Sequence, residues 1–258
     1  MKVAACLFSY NRPRYLQQVL ASLEGQVGAD GSDWFFYQDG PLGPEDGPAV
    51  QECVKMLTAS TLCGNMFVRD ANVGIARQKL MAHALFSAYD LVYFFEDDMI
   101  VSPFYMKLLG ELYRGFPEAL VYAPDRAWAE GESDLRAVSD VWTHFWGYAM
   151  GSALGRAVTP FLREYVDFLG DTPYRQRPSD AIRDRWPVTA TSHDAILDYA
   201  IRELHSRKMS LRVPRARYIG EHGLHATPEH FQRNGFSNKR QFVFPEDAEL
   251  TWEGMHVV

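Results

Sequence analysis

Three carboxylates in a row, Glu96-Asp97-Asp98, close the most apolar short run of the chain, Leu91 to Phe95. Adjacent anions repel, so such a run needs a counter-charge. Hard oxygen ligands with no thiol beside them suit Mg²⁺ or Mn²⁺ bridging a diphosphate; they equally suit a solvated acidic turn ahead of a helix. Asp39, in Asp39-Gly40-Pro41, is either a turn former or an acceptor for a nucleobase. Arg77 falls in the first turn of a helix behind Asn72-Val73-Gly74. There it could grip a diphosphate that the helix N-terminus already favours, or simply face solvent. The aromatic segment His144-Phe145-Trp146-Gly147-Tyr148 offers a stacking wall for a sugar ring, or a core strand. Neither a G-x-G-x-x-G nor a G-x-x-x-x-G-K-[ST] pattern is present, so neither a dinucleotide-binding fingerprint nor a P-loop is indicated.

These groups have to be positioned by regular elements, and the hydrophobic periodicity supplies them. Strand-like runs at Val3–Phe8, Trp34–Tyr37, Asn65–Val68 and Asp90–Phe95 alternate with helical patterns, the signature of a mostly parallel sheet flanked by helices. The first helix opens at Pro13 and turns Tyr15, Leu16, Val19, Leu20 and Leu23 to one side. A second runs over 75–88, and a third follows Ser102-Pro103 as cap and first turn, with Leu108, Leu109, Leu112 and Phe116 inward. Beyond Pro117 the alternation weakens into an α+β half. It has short strands at Leu120–Ala123 and Phe145–Met150, a helix over 155–168, and a helix from Ser192 with Ile196, Leu197, Ala200, Ile201 and Leu204 inward. Between Gly170 and Pro187 a Pro/Arg/Asp-rich stretch without period reads as a mobile loop over a site. Loops and short strands are expected from Arg217 to the end.

Ligands of a parallel sheet bind at the carboxyl ends of its strands. All four early strands end in polar clusters: Ser9-Tyr10-Asn11-Arg12, Gln38-Asp39-Gly40, Asp70-Ala71-Asn72, and the acidic triplet.

Composition narrows the partners. With 258 residues, 47% of them hydrophobic, the chain can bury the core of one large domain. A net charge of −7 lacks the basic stripe of a nucleic-acid binder, although a phosphorylated small molecule held by local groups is compatible. Cys6, Cys53 and Cys63 form neither a C-x-x-C pair nor a disulfide framework and read as buried thiols of a reducing compartment. The apolar opening breaks at Ser9, which fits a first strand better than a signal peptide, and no run is long enough for a membrane span. A soluble, cytoplasmic protein is expected.

Four blocks together resemble a known family. Val3-Ala4-Ala5-Cys6-Leu7-Phe8-Ser9-Tyr10-Asn11-Arg12-Pro13 is similar to the opening of inverting GT-A glycosyltransferases. With Tyr37-Gln38-Asp39-Gly40, Gly74-Ile75-Ala76-Arg77 and Phe95 to Tyr105, it resembles the N-acetylglucosaminyltransferase I family, the blocks standing in the same order at similar spacings. The resemblance implies a GT-A fold: a single Rossmann-like sheet whose residues 1–105 bind a nucleotide sugar, a UDP-sugar, and whose residues 106–258 bind the acceptor and carry the catalytic group. It places Ser9, Tyr10, Asn11 and Arg12 beside the nucleotide, Asp39 at the base, Asp97 at the ribose, Arg77 at the diphosphate and the metal on Asp98, with Glu96, Trp146 and Gly147 completing the donor side.

It also implies a general base at the start of a helix, which here is Asp194 in Ser192-His193-Asp194-Ala195; a first-turn carboxylate favoured by the macrodipole is the plainer reading. Many GT-A enzymes add a late histidine to the metal, and His222 or His225, in Gly220-Glu221-His222-Gly223-Leu224-His225, stands in that place. The acceptor would be a saccharide, a lipid-linked sugar or a small-molecule hydroxyl. A sugar nucleotidyltransferase shares this sheet and metal chemistry but usually has a glycine-rich loop after its first strand, which Ser9 to Pro13 is not. A non-enzymatic nucleotide-sugar or carbohydrate-binding module would need no base.

Overall fold

A computed structural model describes residues 1–122, 145–211, 214–223 and 227–236, and the backbone of 136–139 and 256–257. In chain order the elements are β1 (Val3–Ser9), α1 (Pro13–Glu24), β2 (Ser32–Gln38), α2 (Gly47–Ala59), β3 (Asn65–Val68), α3 (Ile75–Ala82), β4 (Leu91–Glu96), β5 (Met99–Val101), α4 (Tyr105–Gly115) and β6 (Ala119–Tyr122). There follow β7 (Arg136–Ser139), β8 (Gly147–Gly151), α5 (Ser152–Leu169), α6 (Ser179–Arg185), α7 (His193–Glu203), β9 (Arg207–Leu211), β10 (Ala216–Tyr218), α8 (Pro228–Arg233) and β11 (His256–Val257).

One nine-stranded sheet runs β11-β7-β9-β6-β8-β4-β1-β2-β3, and β5 pairs with β10 in a small antiparallel sheet. The four early strands are parallel, with Ser9 opposite Gln38 and Phe8 opposite Glu96, so their polar ends line up. β8 enters antiparallel beside β4, with Phe95 opposite Gly147, and carries the sheet into the second half. β1 and β4 are covered on both faces, which explains their unbroken apolar runs. Ala5, Leu7, Tyr93 and Phe95 pack with residues of α1, α2 and α4; Ala4, Cys6, Phe8, Val92 and Phe94 pack with residues of α5 and α7. On that second face stacked rings of Tyr148, Phe94, Phe8, Tyr37 and Phe67 cross five strands.

Several expectations need correction. The helix α2 was not anticipated, although Val50, Cys53 and Leu57 give it a buried stripe. The second helix is α only over Ile75–Ala82 and finishes as a 3₁₀ turn, His83–Ser87. Ser102 does not cap α4 with its side chain, whose hydroxyl is buried without a partner. Instead Gln26 accepts from Met106 N at 3.0 Å and donates to Ser102 O at 2.7 Å, satisfying a first-turn N–H from outside the helix. α5 starts at Ser152, ahead of expectation, and Leu204 lies exposed beyond the end of α7. Cys6 and Cys53 are buried, but Cys63 is exposed.

The stretch from Gly170 to Pro187 is a packed element, not a free loop. It holds a 3₁₀ turn, Tyr174–Gln176, and α6, and it buries Ile182 and Trp186 against Leu162, Tyr165 and Ile196. Among the described residues no helix is long and apolar enough to cross a membrane.

One glycine tests how tightly α5 is seated. Alanine in place of an interior helical glycine ordinarily stabilises by about 1 kcal/mol. A Cβ on Gly155 would lie 2.4 Å from the ring of Phe86, a buried side chain wedged beside His83 and Phe94. Overpacking should win: Gly155→Ala is expected to lower stability by about 1–3 kcal/mol in urea denaturation, and a gain would show that α5 is not pressed onto this ring.

Candidate active site

The polar strand ends open into a cavity of about 370 Å³. Ser9, Tyr10, Asn11 and Arg12 line it from the end of β1, Asp39 from β2, and Glu96, Asp97 and Asp98 from β4. Gly74, Ile75 and Gln78 contribute the start of α3, Ser192, His193 and Asp194 the start of α7, and Tyr174, Arg175 and Arg177 the packed segment before α6. Trp146, Tyr218 and His230 complete the wall.

The acidic triplet is a set of buried ion pairs, not a solvated turn. Arg12 Nη1 donates to Asp98 Oδ2 at 2.7 Å, and its Nη2 donates to Asp97 Oδ1. Asp97 Oδ2 also accepts from Tyr10 N at 3.1 Å. Burial alone would lower the Arg12 guanidinium, but Asp97 and Asp98 more than offset it and hold the group charged. Asp97 is raised by burial despite Arg12. Asp98 Oδ1 is buried and accepts no hydrogen bond.

The third carboxylate turns to the other side. Glu96 Oε1 accepts from Lys79 Nζ at 2.6 Å, and that ammonium, itself buried, stands 3.7 Å from Asp194 Oδ1. Burial pushes the Glu96 carboxyl up to about 8; Lys79 opposes the shift while Asp194 and Asp98 add to it. Lys79 would be lowered by burial, and Glu96 outweighs that, so the lysine keeps its proton.

Asp194 occupies the first turn of α7, where Ser192 Oγ accepts from Ala195 N as the cap. His193 Nε2 lies 3.0 Å from Asp194 Oδ1 and 4.0 Å from Glu96 Oε1, while its Nδ1 is 2.9 Å from Tyr174 OH. Burial lowers the imidazole, with Asp194 opposing, so His193 is neutral. Tyr174 is fixed in turn: its ring lies 4.7 Å from the Arg177 guanidinium, which donates to Thr191 O at 2.9 Å and Tyr174 O at 3.1 Å. Asp39 is buried and accepts from Val73 N at 2.8 Å and Gly74 N at 2.9 Å, so it holds the loop before α3. Burial raises its carboxyl against those N–H donors. Tyr10 OH and Asn11 Nδ2 both donate to Asp46, at 2.5 and 2.6 Å.

The cavity thus gathers Ser9, Tyr10, Asn11, Arg12, Asp39, Glu96, Asp97, Asp98, Trp146 and Asp194 from the sequence candidates. It does not gather Arg77, which donates to Gly170 O and lies 3.8 Å from Asp171 at the surface. Gly147 sits within β8, its carbonyl accepting from Tyr105 OH, and Phe145 and Tyr148 belong to the core. Among the segment's described residues Trp146 alone lines the cavity, with one face stacked on Tyr218 at 4.3 Å, and His144 lies outside the described residues. His222 is exposed and outside the cavity, its N–H donating to Tyr15 OH; His225 lies outside the described residues.

Lys79, His193, Tyr174, Arg175, Arg177 and His230 were not singled out from the sequence. Lys79 had a signal: it shares the buried stripe of α3 with Ala76 and Ala82, where a charge requires a partner. Glu96, His193 and Asp194 bring ligand atoms within 4.8 Å of one another, as a metal site would. The Lys79 ammonium already stands at that point, so a dication there would meet a fixed positive charge.

No family model and no curated protein matches the chain. Among solved structures 328 chains match, so the architecture is widespread and function has to be argued from the site. One is the crystal structure of S. aureus TarS 1–349, which superposes with a TM-score of 0.52 at 13% identity. The match covers 90% of this chain and 63% of that one, so the chain spans less than two thirds of its neighbour's length. An identity this low shows the fold alone. That fold is α/β, of the GT-A kind.

The charge pairs set a stability test. Lys79→Met leaves Glu96 and Asp194 buried without their cation, a change that typically costs about 3–5 kcal/mol. A raised carboxyl contributes stability at low pH and loses it as pH rises through its folded value, so the loss should be largest above pH 8 and shrink on acidification. Arg77→Ala, at an exposed pair, should stay within about 1 kcal/mol. Guanidinium melts at several pH values check both, and a Lys79→Met loss independent of pH would contradict the assignment.

Proposed function

We propose that this chain is an inverting glycosyltransferase. It moves a sugar from a nucleotide-sugar donor, a UDP-sugar, to a hydroxyl of a saccharide, lipid-linked or small-molecule acceptor, with Mn²⁺ or Mg²⁺ at Asp98. The observation that carries the reading is one cavity that holds an unpartnered buried carboxylate oxygen on Asp98 and, across from it, a carboxylate at the start of α7. The shared fold with TarS, itself a glycosyltransferase, agrees with it.

Asp98 Oδ1 fits a hard cation: an anionic oxygen of a residue lining the cavity, with no donor satisfying it. A cation held there supplies positive charge to the departing nucleoside diphosphate. Mg²⁺ and Mn²⁺ sites built on one or two carboxylates leave places for phosphate oxygens and water, so neither His222 nor His225 is required. Ser9, Tyr10 and Asn11 border the nucleotide, and Asp39 shapes the base pocket through the 73–74 backbone it holds. Arg77 is too far committed to Gly170 to serve the diphosphate. Arg12, Arg175 and Arg177 are the guanidinium groups lining the cavity, in reach of an anionic leaving group.

The transfer is a single displacement. The acceptor oxygen bonds to the anomeric carbon, the bond from that carbon to the diphosphate oxygen breaks with its electron pair leaving on the nucleotide, and the hydroxyl proton passes to Asp194. Asp194 adds to the negative charge around Glu96, and Lys79, 2.6 Å from Glu96 and 3.7 Å from Asp194, offsets both.

Calorimetric titration of UDP in Mn²⁺ tests the donor half. Asp98→Ala should abolish Mn²⁺-dependent UDP binding while the melting transition persists; unchanged affinity would return the triplet to a structural role. Asp194→Asn tests the chemistry. Its turnover should fall by about 10²- to 10⁴-fold with UDP affinity unaltered. Near-normal turnover would remove Asp194 as the base, and lost UDP binding would move it to the nucleotide side.

A further inference from the structure

We propose that His193 is a second catalytic residue, whose Nε2–H donates to the oxygen of the attacking hydroxyl while Asp194 takes the proton from that same oxygen. This rests on the reading of Asp194 as base. The imidazole is only 6% exposed and lines the cavity, and its Nε2, 3.0 Å from Asp194 Oδ1, makes no well-aligned hydrogen bond. An unsatisfied buried ring nitrogen ordinarily costs about 1–3 kcal/mol, so a native site that keeps one is built for a ligand atom to complete.

The position of the ring proton follows from its surroundings. Nε2 faces Asp194 Oδ1 at 3.0 Å and Glu96 Oε1 at 4.0 Å, off the line that a good hydrogen bond to either would need. A lone pair there would point at two acidic groups, whereas an N–H is attracted to both. On the other side Tyr174 OH accepts from His193 N at 3.0 Å and lies 2.9 Å from Nδ1, so its own proton can go to Nδ1. The carboxyl side favours the neutral Nε2–H tautomer, and a Tyr174 O–H turned to Nδ1 is compatible with it. Lys79 Nζ, 2.6 Å from Glu96 and 3.7 Å from Asp194, supplies the cation this cluster needs, which leaves a neutral oxygen as the fitting guest.

A hydroxyl complements this pair. It has one proton for Asp194 and lone pairs for the Nε2–H donor, and two fixed contacts aim the remaining lone pair. That is orientation of the nucleophile, gained without adding charge to the site.

Two measurements decide it. Imidazole ¹⁵N NMR of the ligand-free protein at pH 7 should show His193 neutral and protonated on Nε2, with Tyr174→Phe weakening that preference; an Nδ1–H or doubly protonated ring overturns the proposal. The second is UDP release from a panel of UDP-sugars in Mn²⁺, water standing in for the acceptor. His193→Leu should slow release by about 10- to 100-fold with the UDP dissociation constant unchanged, and His193→Gln, which returns an N–H donor, should recover part of it. Equal release in wild type and His193→Leu, including none in either, overturns the proposal, as does loss of UDP binding. Asp194→Asn separates the two readings: release lost there but kept in His193→Leu removes only the role of His193, while release kept in both removes the base as well.

Discussion

The ion pairs at the strand ends depend on enclosing four carboxyl groups, the buried Asp97, Asp98 and Asp194 and the partly buried Glu96, with two cations, Arg12 and Lys79. Isolated buried charges are prohibitively expensive, so each cation has to arrive from a different element at a fixed place. Arg12 comes from the end of β1 and bridges the two aspartates; Lys79 comes up from α3 and stands between β4 and α7. The parallel register of β1 against β4, Phe8 opposite Glu96, brings the first pair together. The second pair needs α3 and α7 on the same face of the sheet, and α5, which touches both, holds them there.

This distribution leaves acid in excess of base. The crowding shows in Glu96, whose carboxyl is pushed up by burial and by the neighbouring Asp194 and Asp98 against the pull of Lys79. Arg175 and Arg177, which line the same cavity, add positive charge that an anionic guest would meet. A cation at the unpartnered oxygen of Asp98, as proposed above, would add to that positive charge.

The sequence reveals those features that depend on one strand and its end. β1, β2 and β4 were legible because burial writes continuous apolar runs, β3 as a short, largely exposed apolar edge run, and the polar residues that stop all four could be read as one edge. What pairs with what was not legible. Arg12 reads as a nucleotide contact until Asp97 and Asp98 are seen across the sheet from it, and Arg77 reads as a phosphate ligand until Gly170 is seen beside it. Both are contacts over 85 or more residues, set by packing that no local pattern encodes. The segment from Gly170 to Pro187 misled for a related reason. Its prolines and arginines lack a period because it is anchored by particular partners, Tyr174 on His193 and Arg177 on Thr191, with only Ile182 and Trp186 entering the core.

Those anchors make the cavity a preassembled one. Gly74 is where three walls touch. Its N–H is taken by Asp39 at the end of β2, its φ of +80° starts α3, and a Cβ there would stand 3.3 Å from that of Tyr174. A side chain at this position would be strained by backbone and would push on the residue that holds His193. The backbone that Asp39 fixes and the ring nitrogen beside Asp194 are therefore joined through a few contacts of fixed geometry, with no flexible linker between them. Two halves of a reaction that have to meet within an ångström are best held by such contacts, since orientation established on folding need not be established again on binding. The close fit of Gly74 against Tyr174 is thus as much a part of the site as the carboxylates it helps to align.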